Sequence, residues 1–271
     1  MKRILATFLL LLTVFQARAA QDSAIALGDG ETLKYRVRWG LFAGAGEIVV
    51  QARESETAGL PQINVATRTS TRGFVRSLYV FDGDGECIFD GRDGRLLAIK
   101  AASHTSKKST RSMAVFDHPN QTVQYVDYIR PERNAELPMP EGNPMDLITC
   151  LVQTRNWDLK PGDRSPATVM FERDFYDLTV IAERYEKVRT PMGEFDTLLL
   201  VPVMEREPKG MFKRGGQVRV WISQDDLRLP VKFEVSMKVG TGVAVLTEYT
   251  PPKGGGTAVA AAPAAGAKEP Q

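Results

Sequence analysis

The sequence predicts a mainly β protein: a strongly curved antiparallel sheet forming a closed or partly open barrel, with one short helix at its mouth. Three observations lead there. From Gly216 to Tyr249, Val218, Val220 and Ile222 alternate with Gln217, Arg219, Trp221 and Ser223. Val231, Phe233, Val235, Met237 and Val239 then alternate with Lys232, Glu234, Ser236 and Lys238. A period of two gives each strand one buried and one wet side, as in an antiparallel meander. The same alternation recurs along most of the chain, against a single window of helical period. A flat sheet of that width would leave a large apolar face uncovered, and curling it inward removes the exposure.

The N-terminus reads as an export signal. Lys2 and Arg3 precede an apolar run from Ile4 to Phe15, and Ala17, Arg18 and Ala19 form a small-x-small site, so residues 1–19 are expected to be a cleaved signal peptide. The run is shorter than the roughly 20 residues that span a bilayer. No cysteine follows it to carry a lipid, and no later stretch is apolar enough to cross a membrane. Cleavage removes three of the 35 basic residues and leaves 32 against 33 acidic ones. A nearly neutral mature chain has no electrostatic basis for binding nucleic acid. The expected location is the periplasm or the exterior of a bacterium.

Residues 20–30 are polar and expected to be loose. The β domain then runs from 31 to 250. Leu33, Tyr35, Val37 and Trp39 alternate with Lys34, Arg36 and Arg38 as a first strand. Ala43 to Gly46 is expected to turn, with Glu47 to Arg53 returning. Ile63, Val65 and Thr67 continue the pattern. Leu78 to Phe81 and Cys87 to Phe89 are expected to flank a hairpin turn at Asp82-Gly-Asp-Gly-Glu86. Leu97, Ile99 and Ala101 form a further strand. Ser112, Ala114 and Phe116 oppose Val123 and Tyr125 across a hairpin at Asp117 to Asn120.

Asp127 to Pro144 has neither period and carries four prolines, so it is a long connection. Asn143 or the residue before it can cap the helical window that follows, and Pro144 suits a first turn. Met145, Ile148, Leu151 and Val152 share a face, and the window ends near Trp157. Strands resume at Ala167 to Glu172, Tyr176 to Val188 and, after a turn at Thr190 to Gly193, Phe195 to Val203. Glu205 to Gly216 is a charged loop. Gly240 to Gly242 is expected to turn into a last strand, Val243 to Tyr249. Residues 251–271, rich in alanine, proline and glycine, have no periodic face and read as a disordered tail.

Four segments together resemble a family of bacterial envelope proteins known only as domain of unknown function 3108. They are Leu33-Lys-Tyr-Arg-Val37 with Gly44 to Glu47, Asp146-Leu-Ile-Thr-Cys-Leu151, Thr190-Pro-Met-Gly-Glu-Phe195, and Val220-Trp-Ile-Ser-Gln-Asp-Asp-Leu-Arg-Leu-Pro-Val-Lys232. The resemblance spans Glu31 to Thr250. It implies a secreted, mostly β protein and carries over no catalytic residue.

The chemistry-bearing residues are sparse. His104 follows Ser103, but neighbours on a strand face opposite ways and make no nucleophile-base pair. Asp82, Asp84 and Glu86 have a calcium-loop flavour without the twelve-residue ligand pattern. Asp225 and Asp226 on a turn suit amide binding better than paired-carboxylate catalysis, and Arg228 is expected to pair with a carboxylate. Cys87 and Cys150 either close a long loop with one disulfide or lie apart as buried thiols, and spacing leaves both open. Lys107, Lys108 and Arg111, and Lys209, Lys213 and Arg214, are short basic clusters of the kind that meet anionic headgroups or simply face water. No cofactor or metal site is expected.

The expected function is therefore non-catalytic: a barrel-like periplasmic protein holding an apolar or lipidic envelope molecule against its concave face. Candidate lining residues are Tyr35, Val37, Trp39, Val218, Val220, Ile222, Val231, Phe233 and Val235. The alternative is an envelope assembly module, contacting a protein partner, whose same side chains fill a packed core.

Overall fold

The alternating stretches become strands in the computed structural model, which describes residues 25–208, 210, 212–237 and 240–254. The expected signal peptide, residues 20–24, Lys209, Lys238, Val239 and the tail from residue 255 lie outside the described residues. The first wing holds β1 (Thr32–Trp39), β2 (Phe42–Thr57), β3 (Leu60–Thr71), α1 (Gly73–Leu78), β4 (Phe81–Asp90), β5 (Leu96–Thr105), β6 (Ser109–Asp117), β7 (Thr122–Asp127) and β8 (Ala135–Pro138). After α2 (Leu147–Gln153), the second wing holds β9 (Arg164–Phe171), β10 (Asp174–Thr190), β11 (Gly193–Val203), β12 (Gln217–Ser223), β13 (Pro230–Met237) and β14 (Gly240–Thr250).

All fourteen strands join one antiparallel sheet in the order β8-β7-β6-β5-β4-β3-β2-β1-β14-β13-β12-β11-β10-β9. The chain starts mid-sheet, walks outward to β8, crosses to the far edge at β9 and walks back. Its last strand closes on its first, with Leu33 opposite Tyr249 and Val37 opposite Ala244. Strands β8 and β9 are not paired with each other, so the barrel is open. The sheet nevertheless curls, because β10 approaches β13 and β14, three and four places away.

Several expected turns are strand instead. Ala43 to Gly46 lies inside β2, and the reversal falls at Gly40 and Leu41, where Gly40 takes the positive φ a tight turn needs. Gly240 to Gly242 begins β14. Asp82 to Glu86 runs through β4, paired with β3 on one side and β5 on the other. Acid and glycine alternate there with period two. Asp82, Asp84 and Glu86 therefore share the outward face, facing Arg76, Arg68 and Lys100 at 2.8–3.0 Å. The alternation outweighs the turn propensity of Asp-Gly because both neighbouring strands supply ladder partners.

The helix is also better placed by structure than by sequence. Asp146 is its cap, accepting from the amides of Ile148 and Thr149 at 2.8 and 3.2 Å. Asn143 instead binds the β4–β5 turn, accepting from Leu96 N at 3.1 Å and donating to Gly94 O at 2.8 Å. Thr149 to Gln153 are buried, so α2 packs into the hollow. Helix α1, at the head of β4, has no buried residue.

Candidate functional site

The concave face is the candidate site, and its geometry follows from register. Tyr35 lies opposite Leu246, Val37 opposite Ala244 and Trp39 opposite Gly242. Phe233 and Val235 face Ala244 and Gly242 on β14, and Val220 and Val218 on β12. Partners across an antiparallel pair share a face, so the nine candidate lining residues do come together as one apolar surface.

Six of them are packed rather than exposed to a cavity. Tyr35, Val218, Val220, Ile222, Val231 and Phe233 are all at most 8% exposed and belong to the main core. The Tyr35 ring lies 5.0 Å from that of Phe233, and its hydroxyl donates to Pro230 O at 2.9 Å. Burial pushes this phenol far above its usual range, which keeps it neutral.

The plug that seals this half is the segment joining the two edge strands. Met145 exchanges backbone hydrogen bonds with Thr168 and Met170, next to β9's far end. One residue later, the Asp146 carboxylate accepts from Cys87 Sγ on β4 at 2.8 Å. Thus β4 and β9, far apart in the sheet order, meet across the linker. Arg155 then donates to Glu31 at 2.8 Å, to Ala26 O at 2.7 Å and to Leu227 O at 2.9 Å. Glu31 also accepts from Gly28 N and the Tyr249 hydroxyl. The Tyr249 phenol is pushed up to about 12 by burial and by Glu31 beside it.

The most distinctive motif in the sequence serves this plug. Arg228, in the corner between β12 and β13, donates to the carbonyls of Arg155 and Trp157 at 2.8 and 2.7 Å. It pairs with these carbonyls and not with the carboxylate expected from sequence; Arg155 O stands at the helix end, where carbonyls lack intrahelical donors, and Trp157 O accepts from Leu159 N as well. Asp225 accepts from Arg228 N and Ser223 Oγ, fixing the corner.

Both cysteines are free and buried. Cys87 points at Asp146, so the disulfide left open by the sequence does not form. Burial, reinforced by the Asp146 carboxylate, pushes both thiols up, Cys150 to about 12. His104 bonds Ser109 on the wet face, and His118 meets Leu96 O at 2.7 Å, so each has a structural role.

At the opposite end of the concave face the packing loosens. Val37, Trp39, Ile48 and Val235 are half-buried. The Trp39 ring lies over Gly240 and Gly242, where an added Cβ would come within 3.1 Å of it. Thr69, Gly83 and Ser103 continue this row on β3 to β5, all small. A recess of about 580 Å³ lies on the outer face instead, among Arg68, Glu86, Lys100 and Arg111, and none of the nine candidates borders it. The sequence had no signal for the Glu31–Arg155 clamp, whose partners lie 124 residues apart. For the helix cap the sequence did hold a signal, Asp146 before an apolar run, masked by Asn143 and Pro144.

Comparison with known proteins supports the fold. A crystal structure of a β-barrel-like protein, domain of unknown function DUF1849, from Brucella abortus is 10% identical, with a TM-score of 0.53. The match covers 84% of this chain and 99% of that one. A protein described as a lipoprotein from Parabacteroides distasonis is 11% identical over 84% of this chain and 99% of its own, at a TM-score of 0.37. A protein described as exported, with a YmcC-like fold, from Bacteroides fragilis is 12% identical over 83% and 97%, at 0.32. No curated protein matches the chain. A family model matches residues 34–247, and the chain belongs to that family, described as protein of unknown function (DUF3108).

Proposed function

We propose that the chain is a non-catalytic protein of the bacterial envelope that holds an apolar or lipidic molecule against the open half of its concave face. The observation that carries this reading is the exposure gradient along one continuous apolar surface. On β1, Leu33 and Tyr35 are sealed, whereas Val37 and Trp39 are half-buried. On β2, Ala52 and Val50 are sealed and Ile48 is not. Acyl chains bind such surfaces because covering apolar area yields about 25 cal/mol per Å². The Trp39 indole leans over the two glycines of β14, Gly240 and Gly242, rather than over a large side chain.

The non-catalytic part rests on how the polar groups in the hollow are used. Glu31, Arg155, Asp146, Cys87 and Tyr249 are each spent on a bond that holds the linker or the strand ends. The envelope part rests on the N-terminal export signal read from the sequence. Among the described residues no helix is long and apolar enough to cross a membrane.

Native mass spectrometry of mature protein taken from its own envelope tests the reading. An acyl-bearing adduct is expected, and its occupancy should fall at least several-fold in a Val37→Asn, Val235→Asn variant. Repeated preparations without adduct, together with no change in tryptophan emission on adding long-chain fatty acid, would refute it. The packing of six of the nine candidates favours the second reading, an assembly module with a protein partner. In-cell cross-linking that returns one reproducible envelope protein from an adduct-free chain would establish that instead.

A further inference from the structure

The exposed apolar side chains are not scattered over the surface. Eleven large apolar residues are exposed among those described, and five of them, Leu41, Phe42, Phe74, Leu78 and Tyr79, stand together at one end of the sheet. Register explains the grouping. Trp39 opposite Phe42 puts Leu41 at the tip of the β1–β2 hairpin. Gly46 opposite Thr71 brings α1 beside that hairpin, and the Phe42 and Phe74 ring centroids are 5.7 Å apart. Leu41 is fully exposed, and Phe74 and Leu78 are 63% and 67% exposed on a helix that buries none of its residues. A monomer in water would gain by hiding such a group.

The cations at this end fall into two sets. Arg72 and Arg76 are spent on Glu47 and Asp82 at 3.0 and 2.8 Å, which pins α1 in place. Phe81 opposite Thr105 puts the β5–β6 turn next to Tyr79, and that turn carries Lys107 and Lys108. Both lysines and Arg38, on the neighbouring hairpin, are exposed and make no ion pair with a described residue. An apolar tip ringed by free cations matches the chemistry of one surface above others: hydrocarbon beneath anionic headgroups.

We infer that this end, the β1–β2 hairpin tip with α1 and the β5–β6 turn, docks on an anionic phospholipid bilayer. Leu41, Phe42, Phe74 and Leu78 enter the headgroup boundary while Lys107 and Lys108 meet the phosphates. Docking sets the open half of the concave face against the membrane, since Trp39 adjoins the same hairpin. The inference goes beyond the ligand reading and does not need it. Loss of docking leaves ligand binding standing, and a ligand-free hollow leaves docking standing.

Vesicle flotation of the mature chain tests it, using phosphatidylethanolamine with phosphatidylglycerol against phosphatidylcholine alone. The chain is expected to float with the anionic vesicles only, and 0.5 M salt should release most of it, about the behaviour of a screened surface contact. Leu41→Asp with Phe74→Asp, and separately Lys107→Glu with Lys108→Glu, should each lower binding about tenfold or more, since each lysine near an anionic surface contributes appreciably. These side chains are exposed, so unchanged circular dichroism will show the variants folded. No flotation, equal flotation on neutral vesicles, or flotation insensitive to both variants would overturn the inference. A vesicle-independent dimer that Phe74→Asp dissolves, in a chain that does not float, would assign the patch to a second copy and overturn it as well.

Discussion

Arg155 shows how few residues hold the hollow shut. Its side chain is 11% exposed and that of Glu31 is 3%, so their pairing takes place largely out of water. A buried pair stabilises little relative to apolar residues of the same shape, but breaking one leaves a charge stranded. Arg155→Met should therefore cost about 3–5 kcal/mol, read from urea unfolding. Adding Glu31→Gln should restore part of that loss, because a neutral amide can still accept from Gly28 N or Tyr249. If the double variant is no more stable than Arg155→Met alone, the clamp is packing and not charge. Neither member of this pair was legible in the sequence. A lone arginine after an apolar window and a lone glutamate before a strand have no spacing that links them. The Asp225 corner was legible, because its bonds reach only three residues.

Of the two helices, α2 is the one that packs in the core. Sequence period placed a helix between Asn143 and Trp157, and α2 with a following 3-10 turn lies within those bounds. Its place in the hollow depends on the neighbours it meets. Leu151, 4% exposed, packs in the main core, where the curled sheet leaves nothing else to fill the space. Leu151→Ala should cost about 2–5 kcal/mol, as large-to-small changes in rigid cores do, with a lowered urea midpoint at unchanged slope. A cost under 1 kcal/mol would mean that the strands collapse around the helix and the plug is soft. Strand β4 departs from its expected turn for a related reason. Asp82-Gly-Asp-Gly looks like a turn in isolation, and only paired neighbours on both sides make it a strand.

For the whole molecule, the governing feature is that the two ends of the domain meet in mid-sheet. The Tyr249 hydroxyl donates to Glu31, 218 residues away, and Lys253 N donates to Asp29 O at 2.7 Å. Pairing β1 with β14 therefore closes nearly the whole chain as one loop, and pairings of this kind fold slowly. A circular permutant joining residue 254 to residue 25 and opened at Gly142 makes every strand neighbour consecutive. Gly142 is exposed in the connection between the edge strands, and its φ of 92° already suits a loop. The permutant should refold about tenfold faster or more in stopped-flow measurements, with little change in the unfolding rate. Equal refolding rates would mean that the wings form first and that docking β14 on β1 is not limiting.

By itself the sequence determined where most of the strands lie, which side of those strands faces inward, and that consecutive strands run antiparallel, while Asp82 to Glu86 and β8 (Ala135–Pro138) needed their sheet neighbours to become strand. These are local properties: a backbone with period two sends alternate side chains to opposite faces, and short connections reverse direction whatever lies elsewhere. Tertiary structure alone decided that β14 closes on β1, that the sheet stays open between β8 and β9, and that the linker packs into the hollow. Those outcomes depend on how far a curled sheet bends and how far a connecting segment reaches. Neither quantity leaves a repeat in the order of the residues.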